Sequence, residues 1–391
     1  MFKGSKFINV LKKMSESFDH VVLGGGIVGS NTARYLQSLG KHVALLEQFS
    51  AETNRGGSSG FSRLIRYSYE EPYFAQLMPE AYQIWKEIEE QSQKQVIVQT
   101  GLIMLDKKPS NSLKKCCENV KNVTTTSLKE LNDENMQEKY PQFLFNHDYI
   151  KFYEETGGII LANKALSAVQ ELFIKNGGKF YCSEKVCNIK PGKIITIETE
   201  TKSFQTPSLI ICAGPWTNKI LKFLDIQVPI KTPKVRVYYW KERENTGRKF
   251  PSFIDLNGIG THVYGFQALE YPNHVKICAH GGDECDPDAK DTTGMKDIYV
   301  DKLCKYIQQH FPEIEYEKPN IIETCIYSDT PDNTFILDYH PSFKNIVIGC
   351  GFSGTGFKTS PIIGKILGNL ALNHPISYNL EPFLISRFKN M

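Results

Sequence analysis

The stretch DHVVLGGGIVGSNTARYLQSLGKHVALLEQF, residues 19–49, decides the fold. Asp19 to Leu23 reads as a short buried strand and His42 to Phe49 as a second. Between them Val28, Thr32, Leu36 and Leu39 recur on one helical face, and Gly40 stands where a helix stops. Strand, helix and strand within about 30 residues make a βαβ unit. Gly24, Gly26 and Gly29 give GxGxxG at its turn. Alone that pattern says little, but a strand before it, a helix after it and an acid closing the second strand are the context a dinucleotide site needs. Gly24 permits the tight turn, Gly26 admits a pyrophosphate close to the backbone, and Gly29 lets the helix pack on the strand. The phosphates then face free N–H groups at the positive end of the helix dipole. Glu47 stands at the distance for the adenosine ribose hydroxyls, and its charge disfavours the 2′-phosphate of NADP.

Outward from this unit the chain alternates two characters. A glycine- and serine-rich stretch, RGGSSGFSRLIRYSYEEPYF (55–74), leads into an amphipathic helix with Leu77, Ala81, Ile84, Trp85 and Ile88 on its buried side. Short apolar runs alternate with charged helical pieces from Thr100 to Phe152. The dinucleotide-domain character returns from Gly157 to Gly214, ending in the strand SLIICAGPW. From Pro229 to Glu323 the chain is rich in β-branched and aromatic residues, such as VRVYYW and HVYGF, and reads as a second sheet. The final seventy residues go back to strand, glycine turn and helix: Gly351, Gly354 and Gly356 follow an apolar strand and precede a helix predicted from Pro361 to Leu372. A chain that comes back to its nucleotide unit at the end favours a large flavin spanning two strand ends over NAD.

Composition narrows the class. With 391 residues, 41% hydrophobic and 23% charged, the chain fits a globular protein of two lobes. The net charge of +3 comes from interspersed signs, so no nucleic-acid partner is expected. No apolar run approaches the ~18 residues of a membrane span, and no membrane partner is expected. Ten scattered cysteines without a CxxC pair, and histidines without ligand spacing, point to reduced thiols, an intracellular protein and no metal. The first thirteen residues hold four lysines and no acid, which suits a floppy extension or a weak mitochondrial signal. The end, Lys389-Asn390-Met391, is no Ser-Lys-Leu address, so a cytoplasmic or a peroxisomal protein is expected without a decision between them.

Five motifs in order then carry a resemblance over nearly the whole chain from residue 17. They are LGGGIVG (23–29) with LLEQF (45–49), SSGFSRLIRYSYEEPYF (58–74), ICAGPW (211–216), TCIYSDTPDNTFILDYHP (324–341) and GFSGTGFKTSPIIGKIL (351–367). Together they resemble the monomeric sarcosine oxidase and pipecolate oxidase family. The resemblance implies an α/β fold, with a glutathione-reductase-like FAD-binding (Rossmann) domain interwoven with a mixed-sheet α+β substrate domain. Residues 1–16 would be an N-terminal extension, 17–99, 153–228 and 324–391 the FAD-binding domain, and 100–152 and 229–323 the substrate-binding domain. A monomer acting on a small secondary-amine amino acid, with O2 as acceptor, is expected.

The resemblance also assigns residues. It implies FAD held covalently through a thioether at Cys325, with Cys350 the one competing thiol. It implies FAD contacts by Gly24, Gly26, Ile27, Val28, Gly29, Glu47, Ser58, Ser59, Arg63, Val186, Gly354, Gly356 and Lys358. Arg66 and Lys358 take the place of the carboxylate clamp, a task that suits a forked guanidinium and a point charge, and Thr355 lies beside them. Arg63 is placed near the flavin ring, one helical turn from Arg66 or at the same strand edge, and two of these three cations are expected in glycine-rich turns. Lys276, in NHVKICAHGG, matches the lysine that activates dioxygen, and His280, Tyr264 and Tyr327 match further pocket residues. Two positions depart from the family pattern: Thr355 and Ser59 replace histidines, which leaves FAD binding intact and opens the question of the substrate. An oxidase of sarcosine, pipecolate or proline type, giving an imine or aldehyde and H2O2, is the expected enzyme. Its rivals are a flavin dehydrogenase with another acceptor, a flavoprotein reduced to a binding module, and, more remotely, an NAD enzyme.

Overall fold

The computed structural model describes residues 15–51, 53, 55–126, 128–244, 247–289 and 297–388. The basic start, residues 1–14, and the terminal 389–391 lie outside them. A six-stranded sheet forms the centre of one lobe, in the order Lys179–Tyr181, Val43–Leu46, His20–Leu23, Ser208–Ile211, Ile346–Cys350, Ile336–Tyr339. Its pairings are parallel except the last. Period-two alternation sends Val22, Leu45, Ile210 and Val347 to one face, where the helices Ile27–Ser38, Pro72–Ser92, Ala162–Lys175 and Gly356–Leu372 cover them. Val21, Leu23, Ala44, Leu46, Ile211 and Ile348 face the other way, against Ile189, Ile195, Ile197 and Phe204 of a four-stranded sheet. That small sheet includes Ser15–Ser17, so regular structure begins inside the stretch expected as extension. Sheets buried on both faces read as continuous apolar runs, which is why these strands stand out in the sequence.

A nine-stranded mixed sheet builds the second lobe, in which Pro233–Lys241, His274–Ala279, Val263–Gln267, Ser252–Asp255, Leu102–Lys107 and Tyr149–Glu154 are successive neighbours. Helix Val300–His310 and a cluster of Phe143, Phe145, Phe250, Phe253 and Phe311 fill its core. A three-stranded sheet, Ser62–Ile65, Gly158–Leu161 and Ile97–Gln99, joins the lobes: Ile65 and Ile160 pack in the first core, Leu64 and Ile159 against Leu102 and Ile254 of the second sheet. No described helix is long and apolar enough to cross a membrane.

Two element boundaries differ from the sequence reading. The first helix ends at Ser38, and Leu39, expected on its buried face, is 44% exposed. Gly40, at φ +75°, turns the chain one residue after it. The last helix begins at Gly356, five residues before Pro361. Proline disfavours the helical state of the residue before it, but tertiary packing overrides that here. Trp85 Nε1 donates to Lys358 O at 3.0 Å, and Gly364 is so close to Asn31 that a Cβ would lie 2.7 Å from its backbone.

Candidate active site

Backbone makes the first part of the site. Gly24 sits at φ +107°, and a Cβ there would meet Cys212 O at 2.2 Å. A Cβ on Gly29 would lie 2.0 Å from Gly24 O, so this glycine lies beneath the turn and sets the depth of the helix. Gly26 caps helix Ile27–Ser38 without a side-chain hydrogen bond. Ser58 Oγ accepts from Ile27 N at 2.9 Å, and Glu47 accepts from Gly25 N at 2.8 Å and Phe49 N at 3.0 Å. Burial raises the Glu47 carboxyl, opposed by those amides. Gly24, Gly26, Ile27, Val28, Glu47, Ser58, Ser59, Val186 and Gly356 border one cleft of about 270 Å3. A positive-φ turn, a helix N-terminus and an acid at the end of the second strand are the features a dinucleotide requires, so these residues fit FAD.

Side chains make the second part. Arg63, Arg66, Tyr264, Lys276, His280, Cys325, Tyr327, Gly354, Thr355 and Lys358 border one cavity of about 520 Å3. Tyr327 and Phe357 line both it and the cleft, so the two spaces meet there. Sheet register explains the gathering. Tyr239 opposes Lys276, Tyr264 opposes Cys278, and Cys325 opposes Val235. Residues directly opposite, or two apart along a strand, share a face, so Tyr264, Lys276 and Cys325 all point to the same side. Arg63 lies in strand Ser62–Ile65, Arg66 just beyond it, and Lys358 in the last helix. None of the three is in a glycine-rich turn, because strand and helix each extend further than their flanking glycines suggested.

The hydrogen bonds of these cations go to carbonyl oxygens. Arg63 donates to Ser62 O (2.8 Å), Ser59 O (2.5 Å) and Gly57 O (3.2 Å), and Arg66 to Ser68 O. Lys276 Nζ donates to Ser62 O at 3.1 Å and Lys358 Nζ to Gly354 O at 3.0 Å. Arg66 and Lys358 are each 8% exposed, Lys276 3%. Burial, followed by the charges of Arg66 and Arg63, lowers Lys358 to about 7. Burial, then Arg63, lowers Lys276 too. Burial also keeps His280 at about 4 and His262 at about 3, so both imidazoles are neutral at pH 7. Such a concentration of positive charge around a cavity suits an anion. Burial raises the Cys325 thiol, while Arg63 and Lys276 pull it down. Cys325 borders two cavities, the cationic one and a neighbour of about 950 Å3. Cys350 is fully buried in its strand among Ile336, Ile346 and Ile348.

Sequence reasoning missed Ser62, Tyr69 and His262, which border the same cavity. Tyr69 lies 4.4 Å under the Arg66 guanidinium, and the His262 ring centroid is 6.0 Å from that of His280. No local pattern marks a lone histidine or tyrosine. The motif SSGFSRLIRYSYEEPYF (58–74) contains both Ser62 and Tyr69 and was the available signal for these two.

A family model described as FAD dependent oxidoreductase matches residues 19–370. A peroxisomal sarcosine oxidase from Mus musculus is 39% identical over 390 residues, 96% of this chain and 98% of the relative. One from Homo sapiens is 39% identical over 382 residues, 96% and 97% of the two chains. Among solved structures, an L-proline dehydrogenase from P. horikoshii superposes with a TM-score of 0.83 at 20% identity, covering 96% of this chain and 99% of that one.

Proposed function

The chain belongs to the family of FAD-dependent oxidoreductases, and we propose that it is an oxidase of a small secondary-amine amino acid, of the sarcosine, pipecolate or proline type. The observation that carries the substrate class is the carbonyl-bound pair Arg66 and Lys358, buried on one wall of the cavity. A carboxylate is the anion such a pair suits: the guanidinium offers two parallel donors and the ammonium a point charge. Bound FAD supplies a two-electron acceptor for hydride from the carbon next to nitrogen. Arg66 and Lys358 hold the acid, and the neutral His262 and His280 add no competing charge. Water hydrolyses the imine product, or a cyclic imine is released. Lys276 Nζ is held beside Ser62, where its ammonium stabilises negative charge developing on dioxygen before hydrogen peroxide leaves. The names of the two mammalian relatives support the sarcosine type and residence in peroxisomes.

In this reading the first lobe, with Gly24, Gly26, Ile27, Val28, Gly29, Glu47, Ser58, Ser59 and Val186, would hold FAD, and Cys325 would tether it through a thioether at the flavin 8α carbon. The thiol S–H and one 8α C–H would be lost, their two electrons and two protons passing to O2 as H2O2. Burial raises the Cys325 thiol, and Arg63 and Lys276 oppose that rise, which assists the attachment. Denatured wild-type protein is expected to stay yellow and Cys325→Ser to lose its colour; complete release of flavin from the wild type refutes the tether and leaves noncovalent FAD intact. The proposed reaction itself is tested by a peroxide assay across sarcosine, pipecolate, proline and N-methylated amino acids. Peroxide with at least one is expected. Dye reduction without oxygen consumption would make the protein a dehydrogenase.

A further inference from the structure

Reduction of O2 to H2O2 takes two electrons and two protons. Both electrons and one proton arrive with the reduced, anionic cofactor, so the second proton has to reach a buried cationic wall from water. Lys276 is 3% exposed and Ser62 fully buried, and among the described residues a chain of hydrogen bonds reaches the Ser62 hydroxyl, whose own carbonyl accepts from Lys276 Nζ. Ser62 Oγ donates to Glu270 Oε1 at 2.7 Å. Tyr239 Oη lies 2.9 Å from the same Glu270 oxygen and 3.1 Å from Glu323 Oε2. Tyr271 Oη donates to Glu323 Oε1 at 2.8 Å. Ser62 borders the cationic cavity, whereas Glu323 and Tyr271 border the neighbouring one of about 950 Å3. The ends of the chain therefore open on different spaces.

We propose that Ser62, Glu270, Tyr239 and Glu323 form a proton-conducting chain that supplies the proton consumed when dioxygen is reduced beside Lys276; this rests on the oxidase reading above. Register places the parts. Tyr239 is directly opposite Lys276 on the next strand, with the ammonium 5.6 Å from its ring centroid, and Glu323 opposes Val237 on the same face. Tyr239 has one hydroxyl proton and two carboxylate neighbours, so it donates to one at a time and accepts from the other when that one carries a proton. A proton entering at Glu323 passes to Tyr239 Oη while Tyr239 gives its own to Glu270. Glu270 hands a proton to Ser62 Oγ, and Ser62 releases its own into the cavity beside Lys276 Nζ. Charge and atoms balance: one proton is taken from water and one is delivered, with each hydroxyl and carboxyl restored. Two half-buried carboxylates, Glu270 and Glu323, converge on one fully buried hydroxyl, so water reaches the acids but not the groups between them and the cavity.

The test is single-turnover reoxidation of holoprotein reduced with dithionite, which makes it independent of the substrate. Flavin absorbance is followed together with a pH indicator in weak buffer. In the wild type, the proton uptake and the return of absorbance are expected in step. Tyr239→Phe is expected to slow both by about 10²-fold, to enlarge the solvent deuterium isotope effect, and to be partly rescued by a small weak acid such as formate. Anaerobic reduction by the amino acid stays as in the wild type. Glu323→Gln, at the half-buried end of the chain, repeats the pattern with less demand on folding. Wild-type reoxidation in both variants, or a slowing with neither isotope effect nor rescue, overturns the chain while leaving the oxidase reading in place. A wild-type protein whose reduced form ignores oxygen overturns both.

Discussion

The cleft beside Gly24 and the cavity beside Lys358 are made of different materials. Backbone from one βαβ unit and its neighbours shapes the cleft, where added atoms have no room: Cβ positions at Gly24 and Gly29 fall 2.2 and 2.0 Å from carbonyl oxygens. Side chains from several separate strands and a helix shape the cavity, and buried charge is its main feature. Steric fit fails all at once, whereas a cluster of cations can lose one member and keep the rest. Damage to the cleft should therefore abolish cofactor binding, and damage to the cavity should change rates and affinities in a protein that stays yellow.

The largest effect is expected at Gly29. Gly29→Val adds three carbons where one already collides with Gly24 O, and overpacking of that kind typically costs 1–3 kcal/mol or more. The ratio of flavin to protein absorbance should fall to near zero. A yellow Gly29→Val protein would show that backbone fit does not control the cleft. Next comes Lys276→Met, expected to slow reoxidation by oxygen by ~10²–10³-fold, the loss seen when one preorganised donor to developing negative charge is removed. Reduction by substrate should change far less, and an equal fall in both half-reactions would make Lys276 a substrate-binding or structural residue.

Lys358→Ala is a smaller lesion. Loss of one charged hydrogen bond to a carboxylate corresponds to ~1.5–3 kcal/mol, or roughly 10- to 10²-fold, read mainly as a raised KM. The smallest effect is the pH dependence of that contact. Burial sets the Lys358 ammonium to lose its proton at about 7, so carboxylate affinity should weaken as pH rises through that value. Lys358→Arg, whose charge does not titrate in this range, should flatten the profile. The stability sign runs the other way. The folded value is below the 10.5 of the free side chain, so the unfolded chain binds more protons between about 7 and 10.5. Stability should gain from this residue as pH rises across that window, and Lys358→Met should remove the gain in thermal unfolding.

The same contrast decides what could be read in the sequence. Gly24, Gly26, Gly29 and Glu47 lie within one βαβ unit, so spacing alone marks the turn and the acid. Arg63, Lys276, Cys325 and Lys358 are up to 295 residues apart and meet only through strand register and one helix. For these the resemblance to a family supplied what local pattern does not carry. His262, bordering the same cavity, had neither signal, and Ser62 lay inside the 58–74 motif without a role assigned to it. Pro361 misled the reading of the last helix because its local cost is offset by packing against Asn31 and Trp85, residues from the other end of the chain.

Oxygen uptake by purified wild-type protein with an amino acid and with its counterpart lacking the carboxylate tests the central proposal most directly. Sarcosine against dimethylamine, and pipecolate against piperidine, are suitable pairs. If Arg66 and Lys358 hold the acid, at least one amino acid should be oxidised with release of peroxide. Its amine should react ~10²-fold or more slowly, the loss expected from two charged hydrogen bonds. Equal rates with and without the carboxylate would contradict that assignment, and the cavity's cations would then serve the flavin alone.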